Sequence, residues 1–361
     1  MLLVVKVGSS SVTTDDFGVN HLVMDDLIRQ ISRAIANGHK IVLVTSGAIA
    51  LGLGRMSRTT RPSDIETLQV ASSVGQGELF AYYAREFAKF KTTVGQILLS
   101  ASDFMERRQY LSAKATLAKM LELGVLPIVN ENDAIADDEI RLGDNDRIAA
   151  LVAGLIGAER LILLTDQDGL YSADPRFSED ATLIEQVEEV SREVAEAAGG
   201  SGSNRGSGGM ATKLMAARIA AWSSVETLIT SSANSHAIAD GLERRSGAGT
   251  WVSQSRKRLP ARKLWIAFAR PTEGVVFIDD GARKAITERN SSLLSVGILS
   301  FEGEFEDGSV VEVRDSSNAI IAKGEARLAS KELASAIAMR GSLGVDSSPL
   351  FLHRDEMVIL F

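Results

Sequence analysis

Six short runs dominated by Val, Ile and Leu, each six to eight residues long, recur through the first 231 residues: LLVVKVG (2–8), KIVLVTSG (40–47), TVGQILLS (93–100), VLPIVN (125–130), LILLTD (161–166) and VETLITS (225–231). A strand with one wet face alternates apolar and polar residues. These runs do not, so both of their faces must be covered. The segments between them supply the cover. Within 21–37, Met24, Leu27, Ile28, Ile31, Ala34 and Ile35 share one helical face, and Gly38 follows as a stop. Further helices are predicted at about 64–90, 105–123, 147–158 and 209–221. Strand and helix in alternation give a three-layer α/β/α sandwich around a mostly parallel sheet. In such sheets ligands bind beyond the carboxyl ends of the strands. The residues there are Gly8–Ser10, Ser46–Gly47, Asn130–Asp133 and Thr165–Asp166, all small or polar.

At 361 residues the chain exceeds one ordinary core, so two domains are expected. The pattern changes at RKRLPARK (256–263), a basic, proline-containing stretch read as a linker over 256–270. Beyond it the segments GVVFIDD, LLSVGILSFEG, GSVVEVRD and AIIAKGEARL are short and β-like, so 271–361 is expected to be a small β-rich domain. A net charge of −8 argues against broad attraction to nucleic acid or anionic membrane. The last hundred residues, from Arg262, carry 12 Lys and Arg against 15 Asp and Glu, which opposes RNA binding there as well. With no cysteine, disulfides, thiolate metal sites and cysteine nucleophiles are excluded. His21, His39, His236 and His353 are scattered without ligand spacing. MLLVVKVGSS lacks the charged flank and cleavage site of a leader peptide and reads as a first strand.

A lysine inside a buried strand is costly without a partner. Lys6 is therefore either an edge lysine whose ammonium reaches water or a cation aimed at the site, beside Gly8 and its approachable backbone. Ser46-Gly47 repeats the arrangement with a hydroxyl. The stretch 130–146 places Asn-Glu-Asn-Asp and Gly-Asp-Asn-Asp on either side of a segment spaced for a hairpin. Its composition is that of a calcium loop, but the ligand spacing is absent. Paired carboxylates also serve glycosidases, yet lysines and glycines at strand ends suit an anionic substrate better. GGSGSNRGSGGMATK (199–213) has linker composition in its first half, 199–206. Its second half leads straight into a helix whose first turn carries Lys213. It is not a Walker loop, because no Gly-Lys-Ser/Thr follows at the required spacing. His353-Arg354-Asp355 mimics a protein-kinase triplet without the downstream partners and is read as structural.

KVGSS (6–10), VTSGAIALG (44–52), VNENDA (129–134), RLGDND (141–146), LLTDQDGLYSADPR (163–176), GSGGMATKLMAA (206–217) and HRDEM (353–357) together resemble the glutamate 5-kinase family of the amino-acid kinase fold. Their order and spacing match over essentially the whole chain, and 273–329 is similar to a PUA domain, departing from its pattern at Asn290 and Ser295. The resemblance implies a catalytic domain over 1–255 and a PUA-like domain over 271–361. It implies ATP-dependent phosphorylation of the L-glutamate γ-carboxylate to γ-glutamyl phosphate, the first step of proline biosynthesis. By the same resemblance, Lys6 and Lys213 flank the transferring phosphoryl group, Asp146 holds both ammonium groups, and Gly8 with its neighbours offers backbone donors. Ser46, Asp133 and Asn145 match glutamate-binding positions. Lys6, Thr165, Asp166, Ser207, Gly208, Gly209, Met210, Ala211, Thr212 and Lys213 match nucleotide-binding positions. Mg2+ is expected on the nucleotide phosphates, with no protein ligand named. Proline is the expected inhibitor, and a dimer or tetramer in the cytoplasm the expected state, without membrane association. The labile product implies hand-over to glutamyl phosphate reductase. Other members of the fold act on aspartate, N-acetylglutamate, carbamate or a nucleotide, and the fold alone does not separate them. The NEND and GDND pair and the C-terminal domain favour free glutamate.

Overall fold

The computed structural model describes the chain apart from residues 105, 136–144, 174, 176–177, 179, 192–193, 195–208, 256–258, 260, 269–271, 340–347 and 361. Ser207 and Gly208, the approach 199–206, and positions 136–144 of the expected hairpin thus lie outside the described residues. The chain divides into two compact units, Met1–Arg258 and Leu259–Phe361.

In the first unit the strands are β1 (Leu2–Val7), β2 (Lys40–Val44), β3 (Val94–Leu99), β4 (Leu126–Glu131), β5 (Arg160–Thr165), β6 (Gln186–Val187), β7 (Glu226–Ser231) and β8 (Thr250–Val252). Six of them are the aliphatic runs; β6 and β8 are too short to show in the sequence. They form one sheet in the order β3-β4-β2-β1-β5-β7-β8-β6. Every described pairing is parallel except β7 with β8. The helices are α1 (Ser9–Val12), α2 (His21–Ala36), α3 (Ala48–Arg55), α4 (Ile65–Ala88), α5 (Arg107–Glu122), α6 (Asn145–Ile156), α7 (Met210–Trp222) and α8 (Ala237–Glu243). Asn20 caps α2 by accepting from the Val23 amide, and Asp64 caps α4 by accepting from the Thr67 amide.

The alternation of β1 decides what each helix layer meets. Leu3, Val5 and Val7 enter one core with Met24, Leu27, Ile28 and Ile31 of α2, Leu79, Tyr83 and Phe87 of α4, and Ile238 of α8. Val4 and Lys6 alternate to the opposite face, where α6 packs on β1 and on α7. The helix expected from about 147 begins two residues earlier, so Asn145 and Asp146 lie in the first turn of α6 rather than in the loop before it. An aspartate is stabilised there by the amide dipoles of the turn.

α3 and α4 approach one another backbone to backbone. A Cβ on Gly52 would lie 1.7 Å from the Ala71 carbonyl oxygen, and one on Gly75 would lie 1.9 Å from that of Ala48. No larger residue fits at either position.

The second unit contains α9 (Ala261–Phe268), β9 (Gly274–Ile278), α10 (Asp280–Glu288), β10 (Leu293–Leu294), β11 (Ile298–Glu302), β12 (Val310–Arg314), β13 (Ile320–Ala326), α11 (Ser330–Ala338) and β14 (Leu350–Ile359). The six strands form a sheet in the order β10-β14-β13-β12-β9-β11 over a core that includes Ile278, Phe305, Leu333 and Phe351. Residues 261–268, read as linker, are instead the helix α9 packed on β13 and β14. Its buried Leu264 and Ala267, three residues apart, supply the reason. His353, Arg354 and Asp355 lie in β14 as strand residues.

Candidate active site

Lys6 is 5% exposed on β1, and a buried ammonium persists only with a partner. Its partner is Asp146, in the first turn of α6, with Nζ 2.6 Å from Oδ1. The other carboxylate oxygen of Asp146 lies 3.4 Å from Nζ of Lys213 and accepts from Thr212 Oγ1 at 3.2 Å. Lys213 stands in the first turn of α7, where helix dipoles disfavour a cation. It is 6% exposed. A helix that breaks its own end rule with a buried charge is working for something other than stability. Burial alone would raise the Asp146 carboxyl, but the charges of Lys6 and then Lys213 outweigh it and hold the group down at about 2. Two buried cations therefore meet at one anion beside Gly8. A Cβ at Gly8 would stand 3.5 Å from Lys6 Nζ, in the space a ligand oxygen needs to reach that ammonium.

Ser46 leaves β2 buried, and Gly47 after it adopts φ +101 as the N-cap of α3. That backbone region is left-handed, and a Cβ there would meet Val12 at 2.9 Å, so glycine is required. Beyond β4, Asp133 accepts from Ser72 Oγ of α4 at 3.3 Å. Desolvation pushes its carboxyl up to about 6, against smaller lowering effects of Ser72 and Arg61. Asn145 turns its Oδ1 to the Glu131 amide at 3.1 Å, fixing the end of β4 to the start of α6. On the other side of β1, Thr165 ends β5 and donates to Asp166 at 3.0 Å. The Ser232 amide donates to the Thr165 carbonyl at 2.7 Å, and Ser11 bridges to Ser232 at 2.8 Å. Gly209 caps α7; Met210 and Thr212 are half-buried, and Ala211 is exposed.

The sheet order lines these groups up. Asp133 follows β4, Ser46 follows β2, Lys6 and Gly8 end β1, and Thr165 ends β5, in adjacent strands. Three inter-strand spacings of about 4.8 Å make a track of about 14 Å, with the lysine pair in its middle. Of the described candidate residues, Lys6 and Lys213 both contact Asp146, while Asp133, Asn145 and Ser46 stand on one side and Thr165 and Asp166 on the other. The sequence reading missed Ser72 and Arg61, which act on Asp133 from outside any motif. A serine within a helical pattern gives no sign of which side chain it meets.

Residues 1–231 match the amino acid kinase family, and 274–342 match the PUA domain. Glutamate 5-kinase of Thermoanaerobacter pseudethanolicus is 40% identical over 365 residues, covering 100% of this chain and 98% of that protein. The Haemophilus influenzae enzyme of the same name is 40% identical over 99% of this chain and 98% of its own length. That of Paraburkholderia phytofirmans is 42% identical over 99% and 97%. Among solved structures, isopentenyl phosphate kinase aligns with 70% of this chain and 100% of its own at 17% identity and a TM-score of 0.50, a likeness of fold alone.

Proposed function

The chain belongs to the glutamate 5-kinase family of amino acid kinases, and from that membership we propose that it transfers the γ-phosphoryl group of ATP to the γ-carboxylate of L-glutamate. The observation that supports this reading best is Asp146 held between two buried lysines at the ends of the parallel strands. A carboxylate nucleophile is ionised at neutral pH, so the reaction needs no general base. One γ-carboxylate oxygen attacks the γ-phosphorus, the bond to the β,γ-bridging oxygen breaks, and its electron pair leaves with ADP. No proton moves. What the protein must supply is alignment and positive charge. Lys6 and Lys213 take opposite sides of the transferring group, and Asp146 keeps the two ammonium groups from repelling each other apart. Gly8 leaves room for phosphate oxygens at the backbone. Asp133 takes the substrate's α-ammonium, with Ser46 and Asn145 beside it, and Thr165, Asp166 and residues 209–213 take the nucleotide.

Both oxygens of Asp146 are engaged by ammonium groups, and among the described residues no three His, Cys, Asp or Glu side chains converge. The residues in view do not build a metal cage. Mg2+ enters with the nucleotide, as its counter-ion, and no step here runs through a protein-held metal. Placement in proline biosynthesis carries with it proline as an inhibitor at the amino-acid end of the track, and a reductase as consumer of the acyl phosphate. The test is incubation with MgATP, hydroxylamine and candidate acids. γ-Glutamyl hydroxamate from glutamate is expected; product from aspartate or N-acetylglutamate in its place would overturn the assignment.

A further inference from the structure

Asp133 is 5% exposed, and a carboxylate so enclosed resists ionisation unless something donates to it. Among the described residues its one hydrogen-bond donor is Ser72, itself 2% exposed on α4. Ser72 takes Oδ2, and Oδ1 has no hydrogen-bond partner among the described residues. The charge acting on it is Arg61, from the segment before α4; Glu131 is buried two residues upstream at the end of β4. Asn145, from α6, is neutral.

The position of Ser72 is set by the backbone contact of α3 with α4. Ala71, the residue before it, turns its carbonyl to Gly52, and Gly75, three residues on, sits against Ala48. α3 itself starts directly after Ser46 and Gly47. The backbone of Ser72 therefore cannot withdraw from Asp133 without parting two helices that touch at Gly52 and Gly75. The hydroxyl is held at the amino-acid end of the track by the same contact that holds Ser46 there.

We propose that Ser72 is a positioning residue for amino-acid recognition: its hydroxyl fixes one oxygen of Asp133 and leaves the other for the α-ammonium of the substrate. A free amino acid is then preferred over an N-acylated one, because an acylated nitrogen brings no positive charge to the anion so prepared. The inference rests on the assignment of Asp133 to that ammonium.

The test is steady-state kinetics of Ser72→Ala, Ser72→Thr and Asp133→Asn between pH 5.5 and 8.5, reading ADP release with glutamate and with MgATP varied in turn. Ser72→Ala is expected to raise KM for glutamate about tenfold at pH 7, the scale of one charge-assisted hydrogen bond. KM for ATP and kcat should stay near the parent values. The acid limb of kcat/KM for glutamate should move to higher pH, because the carboxylate loses the donor that favours its ionised form. Ser72→Thr, which keeps the hydroxyl, should restore both. An unchanged KM and pH limb in Ser72→Ala, or a loss spread equally over glutamate and ATP, overturns the proposal. If Asp133→Asn itself leaves KM for glutamate unchanged, the parent assignment of Asp133 fails and this inference falls with it. If Asp133→Asn raises KM and Ser72→Ala does not, Ser72 alone is misassigned.

Discussion

Replacing Asp133 by Asn is expected to stabilise the folded protein at neutral pH while impairing its use of glutamate. The carboxyl rises from an ordinary 3.8 to about 6 on folding, chiefly through desolvation. Between those values the folded chain holds a proton that the unfolded chain has released, so stability falls as pH rises through this window and stays low above it. A difference of roughly 2 pH units corresponds to about 3 kcal/mol carried by the folded state at pH 7.5. The hydrogen bond from Ser72 and the attraction of Arg61 already act within that raised value. Asparagine keeps an acceptor for Ser72 and removes the buried charge. For a unit of this size, Tm of Asp133→Asn should exceed that of the parent by roughly 5–10 °C at pH 7.5. The difference should shrink toward zero as the pH is lowered to about 4. The assay is thermal unfolding of both proteins without ligands at pH 4, 5, 6 and 7.5, reading only the difference between them so that other titrating groups cancel. A variant that is equally or less stable at pH 7.5, or a difference that does not change with pH, would refute the account of Asp133 as a carboxylate ionised against its surroundings. Stability given up in this way marks a group retained for binding.

Lys213→Ala should lower kcat by roughly 100-fold or more with a smaller change in either KM, as for a charge that acts in the transition state; near-normal turnover would remove Lys213 from the reaction. Asp146→Ala removes the buried anion that Lys6 and Lys213 both contact and should cost about 3–5 kcal/mol in urea unfolding at pH 7. In the parent, the depressed carboxyl of Asp146 contributes stability that is full above about pH 4 and lost as pH falls through about 2, so a loss of acid stability confined to higher pH would point elsewhere. Gly75→Ala forces a Cβ into the carbonyl of Ala48 and should destabilise by about 1–3 kcal/mol or more. Gly77→Ala on the same helix meets nothing within 4 Å and should stabilise by about 0.5–1 kcal/mol. Equal effects of the two in urea melts would contradict the close approach of α3 and α4.

The six parallel strands of the sheet were legible as aliphatic runs; five are buried on both faces, whereas β3, at the sheet edge, leaves Gln96 and Leu98 exposed, so the cover expected on both of its faces is not found. α2 was legible for the complementary reason, a sustained helical period followed by a stop at Gly38. β6 and β8 span only two and three residues and carry no pattern of their own; pairing alone defines them. α9 was hidden in a basic, proline-containing stretch whose composition resembles a linker, since composition does not record which residues a sheet will cover.

Within the site, the strand-end rule and the motifs singled out Lys6, Ser46, Asp133, Asn145, Asp146 and Lys213, because residue type and distance from a strand exit are properties of the linear chain. Sequence alone determined which aliphatic runs become the long strands and which polar groups stand near their exits. The tertiary structure decided the rest. Lys6, Asp146 and Lys213 are separated by more than sixty residues at each step, and only the face taken by β1 and the packing of α6 on α7 make them one ion cluster. Ser72 reaches Asp133 only because Gly52 and Gly75 let two backbones touch. Charges and hydroxyls interact over a few ångströms whatever their separation along the chain, so their pairing is a property of the fold.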